Sequence, residues 1–149
     1  MKSVLVYLIL VGLGCWAATT PGTGLEKAKT EPNLEKRSRL LLENAETALD
    51  QAREAYGSGN VQEAGSLLDE VRDSTVLAAE ALRETGKDPR KSPKWFKRAE
   101  IQTRKLMRKL EVFRNDMSVS DRPLLQDVLA QVTKVHDELL TGVMEGKNR

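Results

Sequence analysis

Residues 93–117 read PKWFKRAEIQTRKLMRKLEVFRNDM. Within them Phe96, Ala99, Thr103, Leu106, Leu110, Phe113 and Met117 stand 3, 4, 3, 4, 3 and 4 residues apart. That spacing returns to one side of an α-helix on every turn, and it predicts a long amphipathic helix with a single inward stripe. Pro93, directly after Ser92, suits the first helical position, where a missing N–H is no loss.

The same pattern extends outward in both directions. Leu34, Ser38, Leu41, Ala45, Ala48, Ala52 and Ala55 predict a helix over about 33–56, ended by Gly57-Ser58-Gly59. Ala64, Leu68, Val71, Thr75, Ala78 and Leu82 predict a second over 61–85, with Asn60 and Glu63 in the positions of a capping box and Gly86 as its stop. Leu125, Val128, Val132, Val135, Leu139 and Val143 predict the last over 121–144, capped by Ser120 or Asp121. Helices of about 24 residues are about 36 Å long. Links this short reverse a chain onto an antiparallel neighbour. The fold class is therefore all-α: an antiparallel up-down-up-down four-helix bundle over 33–146, with 147–149 as a tail. The first two helices are lined with alanine and are expected to pack closely.

Ala52, Gly59-Asn60-Val61-Gln62-Glu63-Ala64 and Leu68 resemble the turn between the two helices of a tetratricopeptide repeat. The likeness covers about twenty residues. Ala55 stands where the pattern prefers Tyr, no Pro closes the unit and no second copy follows. The resemblance implies a helical hairpin and, as one functional alternative, an adaptor that grips partner helices or peptides.

The N-terminal residues have the form of an address. Met1-Lys2-Ser3 is a short positive region, Val4–Leu13 is apolar and uncharged, and Cys15 and Ala17 are small residues at the −3 and −1 positions of a cleavage site. Residues 1–17 are expected to be a secretory signal peptide, cleaved after Ala17. Lipid anchoring at Cys15 is one rival, weakened by Gly12 and Leu13 where a lipoprotein signal wants other residues. Retention as an uncleaved anchor is another. Cleavage leaves a mature chain with no Cys, which suits an oxidising compartment. Residues 18–32, with two Pro, two Gly and four Thr, are expected to form a flexible linker. The localisation expected is export to the bacterial periplasm or cell envelope.

Little in the 149 residues points to catalysis. One Cys and one His exclude thiolate zinc clusters, di-iron Glu-x-x-His pairs and covalent haem attachment. There is no nucleophile elbow and no phosphate-cradling loop. His136 is expected to be a partly exposed residue beside the last stripe. No enzyme, cofactor or metal is assigned, and sparse aromatics argue against specific nucleic-acid recognition.

Charge is the remaining signal. Residues 87–114 hold eleven Lys or Arg against three acids. Acidic residues of the second and fourth helices are expected to neutralise most of that run across coiled-coil-like flanks. Residues 26–39, 84–98 and 140–149 together carry thirteen bases and six acids, a net of +7 hidden by the overall +2. Residues 50–69 and 108–127 carry five bases and eight acids, a net of −3. Lys87, Arg90, Lys91, Lys94, Trp95, Lys97 and Arg98 are the candidate contacts to an anionic surface. Trp95 is placed either at lipid headgroup level or over the bundle tip. The function expected is that of an envelope-associated interaction or scaffolding protein with a protein partner. Binding of anionic lipid or another polyanion through the basic end is the alternative.

Overall fold

A computed structural model describes residues 23–145. The inward stripes become the buried faces of four long helices, preceded by a short one. α1 is Thr23–Lys29, α2 Leu34–Gly57, α3 Val61–Glu84, α4 Pro93–Asp116 and α5 Pro123–Met144. Every stripe residue of α3 and α4 is buried, as are the α5 stripe residues Leu125 to Leu139. Among the described residues there is no strand, and no described helix is long and apolar enough to cross a membrane. The expected signal peptide (1–17), the first part of the linker and the tail (147–149) lie outside the described residues.

Local chemistry sets the helix ends. The Asn60 side chain accepts from Glu63 N at 3.2 Å and donates to Glu63 Oε2 at 2.6 Å, a variant of the expected capping box. Gly59 and Gly86 have φ of +84° and +64°, the left-handed conformation in which helices stop and which side chains other than glycine resist. The cap expected at Ser120 or Asp121 does not form. Arg122 occupies that position without a side-chain bond. Asp121 is engaged elsewhere: its Oδ2 accepts from Tyr56 Oη at 2.9 Å and from Ser118 Oγ at 2.7 Å.

The four long helices form two hairpins. α2 packs most extensively on α3, and α4 on α5. Between hairpins α3 lies against α5 and α2 against α4, while α3 and α4 meet only narrowly. This corrects one expectation, that the basic helix would lie between the second and fourth helices of the sequence. Its neighbours are α5 and α2. A short link makes the chain turn back without choosing which corner it returns to. Residues 85–92 take it across the bundle end, where a Cβ at Gly142 would meet the Pro89 ring at 3.3 Å.

The expected flexible linker is corrected as well. Its residues 23–29 form α1, which packs on α2 and buries Ala28 to 2%. Leu25 and Ala28 supply one apolar turn, too little to show a period in sequence. α1 runs back along α2: a Cβ at Gly24 would overlap Asn44 Oδ1. Gly24 thus sits beside a residue ten positions into α2, about 15 Å from its start.

The core has two apolar clusters. One gathers Leu49, Leu68, Val71, Leu110, Phe113, Leu125 and Val132; the other gathers Ala28, Leu41, Leu82, Phe96, Val135 and Leu139. A polar layer lies between them. Thr75 and Thr103 are fully buried, and their hydroxyls bond back to Val71 O at 2.7 Å and Ala99 O at 3.0 Å. Asn44 Nδ2 donates to Ser74 Oγ at 3.0 Å and Glu70 Oε1 at 2.8 Å.

Candidate interaction surface

The basic candidates gather around the α3–α4 link and the first turns of α4. Two of them have carboxylate partners. Lys87 pairs with Glu35 of α2, and Arg90 Nε with Asp88 at 3.2 Å. The Arg90 backbone N–H also donates to Asp88 Oδ1 at 2.8 Å. That bond, then the Arg90 side chain and the charge of Lys91, hold the Asp88 carboxyl below its ordinary range. Lys91, Lys94, Lys97 and Arg98 are exposed and make no ion pair among the described residues. Trp95 is half-buried and packs against the second apolar cluster, while Lys94 Nζ lies 5.3 Å from its ring centroid, a cation–π arrangement. The ring therefore covers the tip of the core. Glu35, Lys87, Lys94, Trp95 and Lys97 line one open depression there.

The neutralisation expected for the basic run comes from a different helix. Lys105 and Lys109 reach Glu46 Oε1 at 2.7 and 2.8 Å, Lys109 reaches Asp50 at 3.1 Å, and Arg53 reaches Asp116 at 3.1 Å. All of these acids and bases join α2 to α4. Between α3 and α5 the pairs are Arg72–Asp127 at 3.6 Å and Arg83–Glu138 at 3.2 Å. In both sets the residue numbers of the partners rise together along the two helices.

His136 is not the partly exposed residue expected. It is buried to 8%, with Nε2 3.1 Å from Glu100 Oε1 and Nδ1 3.1 Å from Asp137 Oδ1. Glu100, also 8% exposed, is held on its other oxygen by Arg104 at 3.3 Å. The Glu sits on the flank of the α4 stripe and the His on the flank of the α5 stripe. Neither flank marks itself as inward until the two helices are put together. The pair satisfies both groups and ties α4 to α5 inside the polar layer; no cluster of three ligating side chains for a metal occurs among the described residues.

Sequence reasoning also passed over the outer side of α4. Ile101 and Val112 are exposed there, and with Arg104 and Arg108 they line a common depression. The signal is present in sequence as the complement of the core stripe, but single aliphatic residues among cations do not stand out there as a face. No protein family, curated protein or solved structure matches this chain.

Proposed function

We propose that this is an exported, non-enzymatic helical-bundle protein of the cell envelope, an interaction or scaffolding protein that makes contact with an anionic partner through its basic end. One observation carries the proposal. Lys91, Lys94, Lys97 and Arg98 stand together at one end of the molecule, exposed and without a carboxylate partner among the described residues. Export rests on the sequence of residues 1–17 alone. The bundle proposed is up-down-up-down in direction, supported by the ion-pair numbers that rise together from α2 to α4 and from α3 to α5. In that arrangement the start of α2, the α3–α4 link and the end of α5 share one end.

Retention on a polyanion matrix tests the contact. Full-length protein is expected to bind immobilised heparin at low salt and to elute as salt screens the charges. Lys91→Ala, Lys94→Ala, Lys97→Ala and Arg98→Ala combined should elute at clearly lower salt, with an unchanged melting temperature. Identical elution of the two proteins would sink the proposal.

A further inference from the structure

The side of α4 turned away from the core carries a second stripe. Lys94, Lys97, Ile101, Arg104, Arg108 and Val112 stand 3, 4, 3, 4 and 4 residues apart, on the opposite side of the helix from Phe96, Thr103, Leu106 and Leu110. All six are exposed, Ile101 to 55% and Val112 to 51%. No acid occupies any position of the stripe. Two carboxylates adjoin it in sequence: Glu100, turned inward to His136 and Arg104, and Glu111, which is exposed beside Val112 near the far end of the stripe. From Lys94 to Val112 the stripe runs about 27 Å, most of the helix.

We infer that α4 docks lengthwise on an anionic lipid surface, its cations among the headgroup phosphates and Ile101 and Val112 at the acyl boundary. This deepens the proposed function, on which it rests: the basic end is one extremity of a contact that continues down the helix. Charge complementarity selects an anionic occupant, since each basic side chain near such a membrane adds to attraction. The two aliphatic side chains select lipid over a soluble polyanion. A heparin- or nucleic-acid-like chain would engage the cations and leave Ile101 and Val112 in water. A bilayer face takes up both, as it does for basic amphipathic helices that lie in its interface. The stripe is open to solvent along the outer side of the helix, with a shallow depression at Ile101, Arg104, Arg108 and Val112. Lys105 and Lys109, which Glu46 and Asp50 hold on the α2 flank, mark the border of the contact on that side.

Flotation with vesicles separates this inference from the proposed function. Full-length protein is mixed with vesicles of equal parts phosphatidylglycerol and phosphatidylcholine, and with phosphatidylcholine alone. The neutral vesicles register whatever the apolar run 4–13 contributes, and the excess on anionic vesicles is the quantity read. Ile101→Ser, Arg108→Ala and Val112→Ser combined should lower that excess about thirtyfold, with the melting temperature unchanged because all three side chains are exposed. Ile101→Leu with Val112→Leu should retain it. An undiminished excess in the triple variant, alongside loss in the quadruple variant at Lys91, Lys94, Lys97 and Arg98, overturns the lengthwise contact and leaves the basic-end function standing. Heparin binding without any anionic-vesicle excess overturns the lipid assignment in favour of a soluble polyanion. Binding to neither overturns both.

Discussion

Glu46 shows what a single side chain contributes here. One of its carboxylate oxygens lies between two ammonium groups, and the hydrogen bonds from Lys105 and then Lys109 hold its carboxyl below the ordinary range. A carboxyl that is more acidic in the folded chain than in the unfolded one stabilises the fold above the unfolded pKa. That contribution fades as pH falls through the folded value. The expected outcome is a denaturation midpoint in urea that declines below about pH 5, with part of the decline absent in Glu46→Gln. Superimposable pH profiles would show that the α2–α4 pairs contribute nothing. Such partly exposed pairs are worth only about 0–1 kcal/mol each, so the slope matters more than the absolute stability. Asp121, held low first by Ser118 and then by Tyr56, acts in the same direction. Glu46 could not be singled out in sequence, and Asp121 was legible only as a helix cap, a role it does not take. Spacing says which side of a helix a residue occupies, and the identity of Glu46 as a partner of Lys105 depends on which helix α2 faces. His136 and Glu100 were hidden for the same reason, whereas Phe113 and Leu110, members of a continuous stripe, could be placed in the core from spacing alone.

Elements were the most legible level. The four long helices begin and end within two residues of the limits set by Gly59, Gly86, Pro93 and the stripes, because periodicity over six turns leaves little freedom. α1 escaped that logic. Seven residues are too few for a helix to persist in water by itself, since helices shorter than about 12 residues are marginal even with good helix formers. Its order is borrowed from α2 through Leu25 and Ala28. Ala28→Asp places a charge on that buried face and should release α1 while the bundle holds, at a cost of about 1–3 kcal/mol to the docked state. Hydrogen exchange by NMR is the measurement: amides of residues 27–30 should lose protection and those of Leu106 and Leu110 keep it. Protection retained at 27–30 would mean that α1 is held by something other than this face. Docking also sets Gly24 beside Asn44, part way along α2.

At the scale of the whole molecule, the grouping of Lys91, Lys94, Lys97 and Arg98 around the α3–α4 link was readable because it is local in sequence. The choice of neighbours was not. Four amphipathic stripes fix an inward face for each helix, and several cyclic orders bury the same faces equally well. The order observed puts the two hairpins side by side, α2 on α4 and α3 on α5, with residues 85–92 as the covalent connection between them. Each hairpin packs first on itself and then on the other, and nothing in the interface between them requires both to come from one chain. Removing residues 87–90 takes about 13 Å from the reach of the connection. The α2–α3 hairpin of one molecule should then close on the α4–α5 hairpin of another, giving an exchanged dimer by light scattering with unchanged helix content by circular dichroism. A monomer with unchanged melting temperature would show slack in the link. The link across the bundle end is in this sense a length gauge: its eight residues let two hairpins that share one core close within one molecule, and shortening it is expected to change stoichiometry before it changes fold.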